Sequence, residues 1–109
     1  MLSEEMFRRF ILPHLARLVD LGHAYNLKVM LHCCGGVREL LDDLIDAGLD
    51  AINPVQISCR GMEAAGLKAD FGDRITLWGG GCDTHNILNR GTPEEVRRHV
   101  NEQLAILKS

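Results

Sequence analysis

The chain has 109 residues, of which 46% are apolar and 25% charged, with a formal net charge of −3. That is enough for one ordinary globular domain at most. It leaves no basic footprint for nucleic acid or an anionic membrane, and no apolar run approaches the ~20 residues of a membrane span. No charged-then-apolar leader opens the chain. Its four cysteines are therefore expected as thiols or ligands in a cytoplasmic protein rather than as a disulfide framework.

Taken in order, the chain reads as helix followed by three strand–helix units. Ser3 is placed to cap a short first helix, with Glu4 and Glu5 suited to its dipole. Pro13 breaks that helix and fits best as the first residue of a second one. In the second helix Leu12, Leu15, Ala16 and Val19 form a stripe running to about Tyr25. His14 and His23 on these helices are expected to be solvated or locally satisfied.

Next comes Lys28-Val-Met-Leu-His-Cys-Cys-Gly-Gly36. Val29-Met30-Leu31 predicts a short strand buried on both faces. The character then changes at once to imidazole and thiols, followed by two glycines and a helix. Side chains alternate across a strand, so His32 and Cys34 share a face and Cys33 points away. His32 and Cys34 are thus a candidate pair of metal ligands in need of a third. After Gly36 the helical period is clear: Val37, Leu40, Leu41, Leu44 and Ile45 take one face, and Arg38, Glu39, Asp42, Asp43 and Asp46 the other. Gly48 is a good residue to end that helix, and the acidic face reads as solvated.

A second strand is predicted from about Asp50 to Val55, with Asn53, Pro54 and Gln56 at its end. Gly61 to Phe71 reads as a weaker helix because it contains Gly66. The third strand, Ile75-Thr-Leu-Trp78, runs into Gly79-Gly-Gly-Cys-Asp-Thr84, where glycines permit tight turning or close approach to a ligand. The last helix is announced by Thr92 as N-cap, Pro93 at the first position and Glu95 closing a capping box. Val96, Val100, Leu104 and Leu107 are its expected buried stripe.

Alternating strands and helices predict an α/β fold with a parallel sheet, in which functional residues gather at the C-terminal strand ends. Those ends carry His32 and Cys34, Asn53 and Gln56, and Cys82 and Asp83. If the strands neighbour one another in sequence order, the first and third lie roughly 10 Å apart. A loop cysteine after the third, Cys82, can close that gap onto a metal held by His32 and Cys34. Cys33 and Cys59 are expected to be buried thiols. A surface role is expected for His85 and a structural or solvated one for His99. Gly-Gly-Gly is a weak phosphate-loop signal, with no Lys-Ser/Thr after it.

His32-Cys-Cys-Gly-Gly36, Asp46-Ala-Gly-Leu-Asp-Ala-Ile-Asn-Pro54, Trp78-Gly-Gly-Gly-Cys-Asp-Thr84 and Gly91-Thr-Pro-Glu-Glu-Val96 together resemble the uroporphyrinogen decarboxylase superfamily, and within it the cobalamin-dependent methyltransferase branch. The resemblance runs from about Glu4 to Leu107. It implies a (β/α)8 barrel and a zinc site of the His-x-Cys…Cys kind, falling on His32, Cys34 and Cys82. It further implies methyl transfer from a methyl-corrinoid, free or on a partner protein, to a thiol. Such a barrel usually takes ~250 residues. The chain then corresponds to a C-terminal part, residues 1–109 of an incomplete barrel, expected to self-associate or to require the remaining half.

Within that expectation Gly80 and Gly81 let backbone lie against a substrate, and Asn53 and Gln56 are candidate substrate-binding donors. Asp83 either orients a ligand as a catalytic residue or caps the turn at Asn86 to Leu88. Two other readings stand beside methyl transfer. One is decarboxylation of the tetrapyrrole uroporphyrinogen III to coproporphyrinogen III in haem biosynthesis, which needs no thiolates. The other is a non-catalytic segment that needs a partner chain.

Overall fold

The structure, a computed structural model, describes residues 3–108. Its elements are α1 (Glu4–Phe10), α2 (Leu12–Ala24), β1 (Met30–His32), α3 (Leu41–Asp46), β2 (Ala51–Val55), α4 (Ala64–Phe71), β3 (Thr76–Gly79) and α5 (Pro93–Leu107). The fold is mixed α/β, with three parallel strands alternating with helices in the order β1-β2-β3. Among the described residues no helix is long and apolar enough to cross a membrane.

Local chemistry sets three of the helix ends. The Ser3 hydroxyl accepts the Met6 N–H and starts α1. At the end of α3, Gly48 N–H donates to Ile45 O and Leu49 N–H to Leu44 O, with Gly48 at φ 87°. That is the Schellman arrangement, in which only a residue at ease in the left-handed region closes the helix without strain. The capping box of α5 is complete: Glu95 N–H donates to Thr92 Oγ1, and the Glu95 carboxylate accepts the Thr92 N–H.

Some boundaries differ from expectation. Pro13 is the second residue of α2, after Leu12. The helix expected from Val37 opens with a 3₁₀ turn, Arg38–Leu40, before α3. α4 starts at Ala64 rather than Gly61, because Gly61 sits at φ 74° in the preceding turn. The third strand is shifted by one residue, to Thr76–Gly79.

The core lies between one face of the sheet and the helices. Val19, Leu41, Leu44, Ile52, Met62 and Leu67 are essentially inaccessible there, and Leu31, Cys33, Cys59 and Leu77 pack half-buried against it. Alternation sends Met30, His32, Thr76 and Trp78 to the opposite face, where all are exposed. The expectation of a first strand buried on both faces is therefore corrected: Met30 is 42% exposed because no described element covers that face.

A similar correction applies to the last helix. α5 packs on α4, but none of Val96, Val100, Leu104 and Leu107 is buried. α2 likewise leaves Leu18 and Leu21 exposed, as is Tyr25 just past its end. At the N-terminal end of the sheet, Asp50 ties the layers together. It accepts hydrogen bonds from Lys28 Nζ at 2.8 Å, Val29 N–H at 2.9 Å and His23 Nε2 at 2.7 Å. The acidic face of α3 is engaged by arginines, Arg8 on Asp43 and Arg74 on Asp42.

Candidate functional site

The candidate site is built at the C-terminal ends of the three strands. β1 delivers His32 in register with Asn53 of β2, and the ladder runs one residue further, with Cys33 N–H donating to Asn53 O at 2.7 Å. Cys34 follows with its side chain back on the His32 face. Its Sγ lies 3.6 Å from His32 Nε2. The other ring nitrogen, Nδ1, is 2.7 Å from Asn53 Oδ1.

That spacing can be tested against zinc. A tetrahedral ion with nitrogen at about 2.0–2.1 Å and sulfur at about 2.3 Å holds the two ligand atoms about 3.6 Å apart. His32 and Cys34 thus stand at the separation of two neighbouring vertices of such a site, with imidazole and thiol as a suitable donor set. The third expected ligand is not gathered to them. Among the described residues no group of three or more His, Cys, Asp or Glu side chains is close enough to hold a metal ion. The Cys82 thiol instead points to the Asp83 carbonyl at 3.8 Å.

Cys82 does share a cavity with Cys34. It has a volume of about 410 Å³, and its walls include Cys34, Gln56, Gly80, Gly81, Cys82 and Asp83. Residues from all three strand ends therefore meet in one place, with His32 and Asn53 beside it on the open sheet face. A larger recess at the opposite end of the sheet is lined by Asp50, Lys68, Arg74 and Leu107 among others, and contains neither thiol nor imidazole. Chemistry favours the smaller cavity.

The loops around it are held by specific bonds. Gln56 Oε1 accepts the Gly35 N–H at 2.7 Å, joining the turns after β1 and β2. Gly79, at φ 127°, passes so close to β2 that a Cβ there would lie 2.7 Å from Val55 N. Asp83 Oδ1 accepts the N–H groups of His85 and Asn86, and Oδ2 accepts Asn86 Nδ2. Both carboxylate oxygens thus cap the turn. Asn86, through its side chain and backbone, and the His85 backbone hold the Asp83 carboxyl below its usual value.

Asn53 is also occupied: besides facing His32, its Nδ2 donates to the Trp78 carbonyl at 3.4 Å. Two further contacts hold the loops. His99 Nε2 accepts the Asp83 N–H at 3.1 Å, anchoring the Cys82 loop to α5. Ser58 Oγ lies 3.2 Å from His85 Nδ1, bridging the loops after β2 and β3. Neither follows from spacing in the chain, since both depend on which loops the sheet brings together.

The sequence model of the uroporphyrinogen decarboxylase (URO-D) family matches residues 1–109. Comparison with curated proteins and with solved structures gives no match.

Proposed function

Because the chain belongs to the uroporphyrinogen decarboxylase family, we propose that it is part of a (β/α)8-barrel enzyme of that family that carries out zinc-dependent methyl transfer from a methyl-corrinoid to a thiol acceptor. The observation that carries this reading is the 3.6 Å separation of His32 Nε2 and Cys34 Sγ, which suits two vertices of a tetrahedral zinc. Cys82, across the shared cavity, is the third side chain that would hold the ion. Bound there, zinc would keep a thiol as thiolate at neutral pH.

The chain's own residues then have distinct tasks. Gly80 and Gly81 form a wall without side chains, against which an acceptor or the face of a corrinoid can lie. The Gln56 bond to Gly35 fixes the turn that carries Cys34. Asp83 keeps the Cys82 loop folded through its turn. The barrel reading is supported by a sheet with one face exposed and by β1 and β3 each pairing on one side only. A closed barrel would cover that face and pair both edges, whether the remaining strands come from the rest of a longer chain or through self-association.

A second reading, decarboxylation of a tetrapyrrole, follows from the description the family carries. It has no use for two thiols at the mouth of one cavity, which is why methyl transfer is preferred. The test is zinc content per chain, on protein purified without added metal, for wild type and Cys82→Ser. Near-stoichiometric zinc that falls sharply in the variant is the expected result. A well-folded wild type free of zinc would overturn the methyl-transfer reading and leave decarboxylation or a non-catalytic segment.

A further inference from the structure

The geometry points to Asn53 as a positioning residue that fixes the tautomer of His32, rather than as a contact to substrate; its consequence for metal binding rests on the zinc reading above. The argument starts on β3. The Trp78 carbonyl is only an acceptor, so the Asn53 amide, which approaches it at 3.4 Å, must turn its NH2 group that way. The amide oxygen then faces β1, where it lies 2.7 Å from His32 Nδ1. An amide oxygen is also only an acceptor, so Nδ1 carries the ring proton. Nε2 is left with its lone pair, 3.6 Å from Cys34 Sγ.

A backbone carbonyl of the third strand thereby decides which nitrogen of an imidazole on the first is free to act as a ligand. His32 is exposed, so packing alone does not hold its ring. The chain Trp78 O, Asn53, His32 orders it from the Nδ1 side. Partners on the far nitrogen of a ligating histidine typically contribute 10- to 100-fold in metal affinity, and Asn53 is placed to do so.

Nitrogen-resolved NMR of His32 in the metal-free protein reads the tautomer directly. Nδ1 is expected to be protonated in wild type and in Asn53→Asp, whose carboxylate can still accept from it. In Asn53→Ala the Nε2-protonated form should appear. In a competition titration with Zn²⁺, Asn53→Ala should bind about 10- to 100-fold more weakly than wild type, with Asn53→Asp close to wild type. A wild-type His32 protonated at Nε2 would overturn the inference, a result that needs no variant to fold. Equal Zn²⁺ affinity in folded wild type and Asn53→Ala would overturn the positioning role. An Nδ1–H tautomer in a wild type that takes up no Zn²⁺ would support the tautomer assignment and overturn the zinc reading instead.

Discussion

His99, on the last helix, accepts the backbone N–H of Asp83 at 3.1 Å, so an imidazole outside the cavity holds the loop that carries Cys82. A neutral hydrogen bond of this kind contributes about 0.5–1.5 kcal/mol. His99→Leu should loosen the loop by about that amount, read as faster amide hydrogen exchange at Asp83. His99→Gln, which can still offer an oxygen, should restore part of the protection. Unchanged exchange in both variants would mean that the turn made by Asp83 itself is sufficient.

The three glycines at the end of β3 and in the loop after it, Gly79 to Gly81, are not equivalent. Alanine at Gly79 would adopt a disfavoured φ and drive its Cβ to 2.7 Å from Val55 N, whereas at Gly81 a Cβ meets nothing within 4 Å. A strained φ alone costs about 1–3 kcal/mol, and the overlap adds to it. Gly79→Ala should therefore shift the urea midpoint strongly, while Gly81→Ala should stay within about 0.5 kcal/mol of wild type.

Asp50 should make the fold acid-sensitive. Its carboxyl is held well below the ordinary value by the Lys28 ammonium first, then by Val29 N–H and His23. A carboxyl lowered in the folded state stabilises above its unfolded value, near about pH 4, and that contribution fades as the pH falls toward the folded value. The gap in urea midpoint between wild type and Asp50→Asn should shrink as the pH falls below about 4. A gap independent of pH would remove Asp50 as the source.

Leu67 is completely buried, where α4 meets the core. Leu67→Ala should destabilise by about 2–5 kcal/mol, the range for large-to-small changes in a packed interior. Denaturant unfolding followed by circular dichroism measures it directly, and a loss below about 1 kcal/mol would mean that α4 is only loosely docked.

What could be read from the chain was whatever depends on near neighbours. Ser3, Gly48 and the Thr92/Glu95 pair act within a turn of themselves, and each does in the fold what its spacing implies. Strand parity is also local, and it places His32 with Cys34 whatever the register. The burial of α5 could not be read in the same way. A stripe at helical period states which side of a helix is apolar, not that anything covers it, and Leu104 remains exposed. The 3₁₀ turn at Arg38 was equally hidden, since the apolar positions that follow it suit either winding.

Contacts across strands are not written in the intervals along the chain. From sequence, Asn53 reads as a candidate substrate-binding donor at a strand end. The fold brings His32 and the Trp78 carbonyl to either side of it, so that its amide is engaged at both ends. Asp83 presented two roles from sequence, and the bonds from His85 and Asn86 show its carboxylate closing a turn. The meeting of Ser58 with His85 and of Asp83 with His99 likewise arises from loop placement that no interval along the chain encodes.

Trp78 is the sole tryptophan of the chain, and it stands 60% exposed on the open side of the sheet, its carbonyl bonded to Asn53. The protein thus carries an intrinsic fluorophore on the surface in question. An indole in water emits to the red of one shielded from it. The emission maximum, and its quenching by iodide, will therefore report whether anything lies down over His32 and its neighbours, without a label or a mutation.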